Sequence, residues 1–79
     1  MKFIEHNFYY IKHKSDNWSV ISQVSSITED DVNFEDRVVV TGPEELEYWN
    51  LSHEEVKSYA NFVELGSSFS KNEFPEYFL

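Results

Sequence analysis

The chain contains no cysteine. A fold of only 79 residues must therefore hold itself together through its hydrophobic core, with no disulfide framework, thiolate metal site or cysteine nucleophile. Chains of this size bury about 60% of the surface that their unfolded form exposes, so the expectation is one small domain, 1–79, with a thin core. Aromatic residues supply much of the apolar matter: seven Phe, five Tyr and two Trp. That content separates the chain from disordered acidic tails, which are aromatic-poor. No run approaches the ~20 apolar residues of a membrane span, and no basic start leads into an apolar stretch as in a secretory signal. Without such a signal, the triplets Asn17-Trp18-Ser19 and Asn50-Leu51-Ser52 carry no meaning as glycosylation sites.

Local patterns point to an α+β fold. Residues 3–13 are rich in aromatic and branched side chains and free of Pro and Gly, which predicts a strand. Its alternation is imperfect, as if both faces were covered or a bulge near Asn7 changed the phase. The polar cluster 14–17 reads as a turn. Trp18, Val20 and Val24 then alternate with Ser19, Gln23 and Ser25, a half-buried strand completing a hairpin. A third strand is expected through Arg37-Val38-Val39-Val40-Thr41, ending at Gly42-Pro43. Pro43, followed by Glu44, Glu45 and Glu47, suits the start of a short helix over 43–50. Ser52 with Glu55 forms a capping box for a second helix. Val56, Tyr59, Ala60 and Val63 would make one apolar stripe before a Gly66 cap. The expected architecture is a three-stranded antiparallel sheet with one or two helices on one face, βββαα. An aromatic tail (Phe69, Phe74, Tyr77, Phe78, Leu79) should fold back to complete the core, or else insert into a partner.

Patterns that carry chemistry fall short. His6 and His13 lie seven apart, on opposite faces of a regular strand. His53 starts a zinc-protease-like run, but Lys57 stands where the second His is required. Ser67 and Ser68 lack the strand–turn–helix context of a nucleophile elbow. Two glycines 24 residues apart cannot form a phosphate-cradling loop. Glu29-Asp30-Asp31 lacks the spacing of a calcium loop. A chain this small should also have little room for a cavity of ~300 Å³ or more. The expectation is a protein that is not an enzyme and needs no cofactor and no metal.

Charge is the remaining signal. There are 15 acids against 6 bases, a formal net charge of −9. Residues 27–64 hold eleven of those acids, with only Arg37 and Lys57 to oppose them. Such a field repels phosphate, excluding nucleic acid as a direct ligand, and steers basic partners inward. Carboxylates at helical or cross-strand spacing sit ~5–6 Å apart. An ordered array of that kind can occupy the Arg and Lys of a nucleic-acid channel. The candidate contact residues are Glu29, Asp30, Asp31, Glu35, Asp36, Glu44, Glu45, Glu47, Glu54 and Glu55. Trp49, with Phe34 and Tyr48, would serve as an aromatic anchor.

A small, cysteine-free, very acidic and aromatic-rich chain is similar in composition to phage-encoded inhibitors of host defence, the anti-CRISPR and anti-restriction proteins that mimic DNA. The resemblance implies a cytoplasmic inhibitor that blocks a basic nucleic-acid-binding protein of the host, a defence nuclease or a CRISPR effector. An interaction adaptor or immunity-type protein binding through its aromatics is the alternative, with the charge serving solubility. A homodimer through a sheet edge or the tail is a third reading.

Overall fold

The computed structural model describes residues 2–42 and 48–78, with the backbone alone at 36, 37 and 48. Five antiparallel strands form one sheet: β1 (Phe8–His13), β2 (Ser19–Ile27), β3 (Asp31–Thr41), β4 (Tyr48–Ser52) and β5 (Ala60–Gly66). Their spatial order is β4-β3-β2-β1-β5. One helix, α1 (His53–Tyr59), joins β4 to β5, and a 3₁₀ turn covers Pro75–Phe78. The expected three-stranded βββαα arrangement is thus replaced by a mostly-β fold with a single two-turn helix among the described residues.

Three differences account for the change. The helix expected over 43–50 falls partly outside the described residues, at 43–47; the remainder, 48–50, is strand and pairs with β3 through Phe34↔Trp49 and Asn33↔Asn50. The second helix starts where its capping box predicts. The Ser52 hydroxyl accepts from the Glu55 amide at 3.1 Å, and the Glu55 carboxylate accepts from the Ser52 amide at 3.0 Å. It stops at Tyr59, because Ala60–Gly66 pairs with the otherwise open edge of β1, from His13↔Ala60 to Tyr9↔Glu64. Ala60 and Phe62 then face the core while Val63, the last member of the expected stripe, is 47% exposed. Non-local pairing overrides a helical pattern that also satisfies alternation. Finally, residues 3–7 are not strand. A turn at Glu5-His6, with His6 at a left-handed φ of 73°, separates them from β1. This turn breaks the alternation that a continuous strand over 3–13 required.

The two edge strands are joined by a helix only ~10 Å long, whereas four interstrand spacings in a flat sheet cover ~19 Å. The sheet must therefore curl. Phe34 of β3 and Phe62 of β5 are three strand positions apart, yet their rings stack with centroids 6.3 Å apart. Bulges assist the curl. Opposite Ser22, for example, β3 places two residues, 36 and 37, between the pairs Ile21↔Val38 and Gln23↔Glu35.

The concave face holds the core: Tyr9, Ile11, Val20, Val24, Val32, Phe34, Leu51, Val56 and Ala60. Phe3 closes it, edge-on to Tyr9, Phe34 and Phe62 at 5.0, 5.8 and 5.1 Å. The Tyr9 hydroxyl accepts from the Ile4 amide at 2.8 Å and ties this segment down. On the convex face, Ile21 is buried in the row Val63–Tyr10–Ile21–Val38. The tail folds back here, not into the main core. Tyr77 stacks on Tyr10 at 4.3 Å and Phe69 lies 6.0 Å from Phe8. Phe69, Phe74, Tyr77 and Phe78 are all half-buried.

Candidate functional site

The turn between β2 and β3 is built on Thr28. Its hydroxyl accepts from the amides of Asp30 and Asp31 at 3.2 and 2.9 Å, and its amide donates to the Asp31 carbonyl at 2.8 Å. A hydroxyl taking over turn amides in this way is a common use of threonine. The first residue of α1 docks onto this turn. The His53 amide donates to the Asp30 carbonyl at 3.3 Å, and its Nε2–H donates to the Thr28 carbonyl at 2.9 Å. Cross-strand pairing of Asp31 with Ser52 fixes the same juxtaposition. Five of the expected contact acids, Glu29, Asp30, Asp31, Glu54 and Glu55, are therefore gathered at one end of the sheet although 22 residues separate the two groups.

These acids are not equivalent. Asp31 accepts from the Thr28 hydroxyl at 3.1 Å, and Glu55 is committed to the capping box. The Glu55 carboxyl is held below its ordinary value of about 4.5, first by the Ser52 amide and then by the Ser52 hydroxyl. Glu54 makes an exposed contact with Lys57 at 3.4 Å, an arrangement that contributes little net energy. Glu29 and Asp30 are exposed, and their carboxylates have no partner among the described residues. A sixth carboxylate joins them that the charge count alone did not single out: Glu5 accepts from the Ile27 amide at 2.8 Å. Its signal in the sequence was nil, since only the turn at Glu5-His6 carries it to the end of β2.

The other expected contact residues are placed elsewhere. Glu35 sits on the opposite face of β3 from Phe34, paired with Gln23 and with the backbone of residue 48. Glu44, Glu45 and Glu47 lie outside the described residues, as do the side chains of Asp36 and Tyr48. Trp49 is half-buried: its ring stacks on Phe34 at 4.5 Å, and its indole N–H donates to Ser22 Oγ at 3.3 Å. Phe34 is fully buried. The expected anchor pair therefore packs into the core, because alternation along β3 and β4 turns both rings inward.

A cavity of about 390 Å³ opens at the acidic end, lined by Lys2, Phe3, Ile27, Val32 and His53. Among the described residues, no three His, Asp or Glu side chains converge as metal ligands, and no helix is long and apolar enough to cross a membrane. No protein-family model, curated protein or solved structure matches the chain.

Proposed function

We propose that this protein is a non-enzymatic binding protein whose acidic end occupies the nucleic-acid-binding surface of a larger basic protein, in the manner of the phage inhibitors it resembles in composition. The observation that carries this reading is the convergence of Glu5, Glu29, Asp30, Asp31, Glu54 and Glu55 through the bonds of His53, Thr28 and Ile27. A fixed backbone beneath the carboxylates lowers the entropy lost when Arg and Lys side chains engage them. Charge-assisted hydrogen bonds then supply strength, and the net field raises the rate of encounter.

The test is a pull-down with the tagged protein from host lysate, eluted along a salt gradient and repeated with the triple variant Glu29→Lys, Asp30→Lys, Glu54→Lys. These three side chains are exposed and take no part in the capping box or the Thr28 turn, which Asp30 joins through its backbone amide and carbonyl alone. The reading expects a nucleic-acid-binding protein that leaves at moderate salt, is displaced by DNA or RNA, and is not captured by the variant. A partner that resists high salt, ignores nucleic acid and still binds the variant overturns it.

One observation favours the alternative, an adaptor that binds through aromatics. Phe69, Phe74, Tyr77 and Phe78 form a half-buried cluster against Phe8 and Tyr10. Under that reading, deleting 67–79 abolishes capture while the charge variant leaves it intact.

A further inference from the structure

The cavity at the acidic end combines two features that are separate in most small domains. Its floor is apolar: Phe3 and Val32 belong to the core and are buried, and the half-buried Ile27 packs against it. Acidic residues adjoin the lining residues through backbone bonds and the chain. The Glu5 carboxylate is bonded to the amide of Ile27, the Asp30 carbonyl to the amide of His53, and Glu54 follows His53 in the chain. The imidazole of His53 is held in place by the Thr28 carbonyl, so that wall is preformed. Lys2, an exposed cation, is the remaining lining residue.

We propose that this cavity receives one large apolar side chain, tryptophan or phenylalanine, from a basic segment of the protein partner. The inference rests on the acidic-end reading above and names what that end holds. Apolar walls call for an apolar occupant, and the acids around them call for Lys or Arg on either side of it. The polar groups of the lining, Lys2 and His53, are both exposed at the rim. They do not converge on a buried ligand as in small-molecule sites, which assigns the occupant to a larger body. A central apolar anchor ringed by polar contacts is also the usual anatomy of an interface hot spot. The charges then set register and encounter rate while the anchor governs dissociation.

The probes are two blocked peptides, Lys-Lys-Trp-Lys-Lys and Lys-Lys-Ala-Lys-Lys, titrated into the full-length ¹⁵N-labelled protein at low salt. Because the peptide carries the change, the protein's own folding is not perturbed. The tryptophan peptide is expected to bind at least tenfold more tightly, with amide shifts centred on Phe3, Ile27, Val32 and His53. Both peptides should weaken against the Glu29→Lys, Asp30→Lys, Glu54→Lys variant. Equal affinity for the two peptides, lost in that variant, overturns the anchor cavity and leaves the acidic-end reading standing. A tryptophan preference that persists undiminished in the variant and at high salt overturns the basic flank, and the acidic-end reading with it. Failure of both peptides to bind overturns the anchor proposal outright.

Discussion

Phe3 offers the sharpest test of the architecture, because the sequence pattern places it in a strand whereas the structure makes it a plug. It is 9% exposed and meets three rings edge-on. A phenylalanine buries on the order of 200 Å². Cutting it to alanine removes roughly 150 Å² of apolar contact, about 4 kcal/mol at ~25 cal/mol per Å². Core Phe→Ala changes cost about 3–5 kcal/mol, so the two routes agree. At about 0.05–0.15 kcal/mol per residue, the whole domain holds roughly 4–12 kcal/mol. Phe3→Ala is therefore expected to consume a third or more of the total. In urea, with a slope near 1 kcal/mol per M for a small protein, the midpoint should fall by about 3–4 M. Phe3→Leu, which keeps most of the volume, should cost only about 1 kcal/mol. Both are read by tryptophan fluorescence, since Trp49 stacks on Phe34 within the same ring network. A midpoint change below ~0.5 M for Phe3→Ala would refute the closure of the sheet by the N-terminal segment.

Other consequences are smaller but specific. Ser52→Ala removes one half of the capping box and should cost about 1 kcal/mol, measured by urea denaturation. Because the Glu55 carboxyl is lowered in the folded protein, its contribution is present above its ordinary value of about 4.5 and is lost as the pH falls through the lowered native value. Glu55→Gln should remove that part of the acid sensitivity, which a pair of pH–stability curves would show. Gly42 and Gly66 both have left-handed φ, 100° and 108°, so alanine at either should cost about 1–2 kcal/mol. At Gly42 the added Cβ also meets Asn17 O and the Trp18 ring at 3.2 Å, whereas Gly66 faces open space. Calorimetry should therefore give a lower Tm for Gly42→Ala than for Gly66→Ala; the reverse order would contradict the contact.

Some features were legible in the sequence because their causes are local. The Ser52/Glu55 capping box needs only residues three apart, and it forms as expected. The strand at Ser19–Ile27 follows from alternation over a few residues, and the 14–17 turn from its polar cluster. The concentration of acid in residues 27–64 is likewise a property of the chain itself. That absence of cysteine leaves stability to the core is another.

What the tertiary structure decided concerns competition and distance. From Val56 to Val63 the residues satisfy a helical stripe and, from Ala60, an alternating strand. The open edge of β1 settles the matter, since unpaired backbone groups beside a buried Tyr9 and Ile11 would be costly. A left-handed His6 turns 3–7 out of the sheet, so that Phe3 becomes a plug and Glu5 reaches Ile27. Pairing of β4 with β3, Asp31 opposite Ser52, brings two distant acidic segments to one end, and the link from β4 to β5 through seven residues curls the sheet. Local propensity acts over a few residues, but edge pairing, curvature and the meeting of Thr28 with His53 exist only once the sheet has closed around its core.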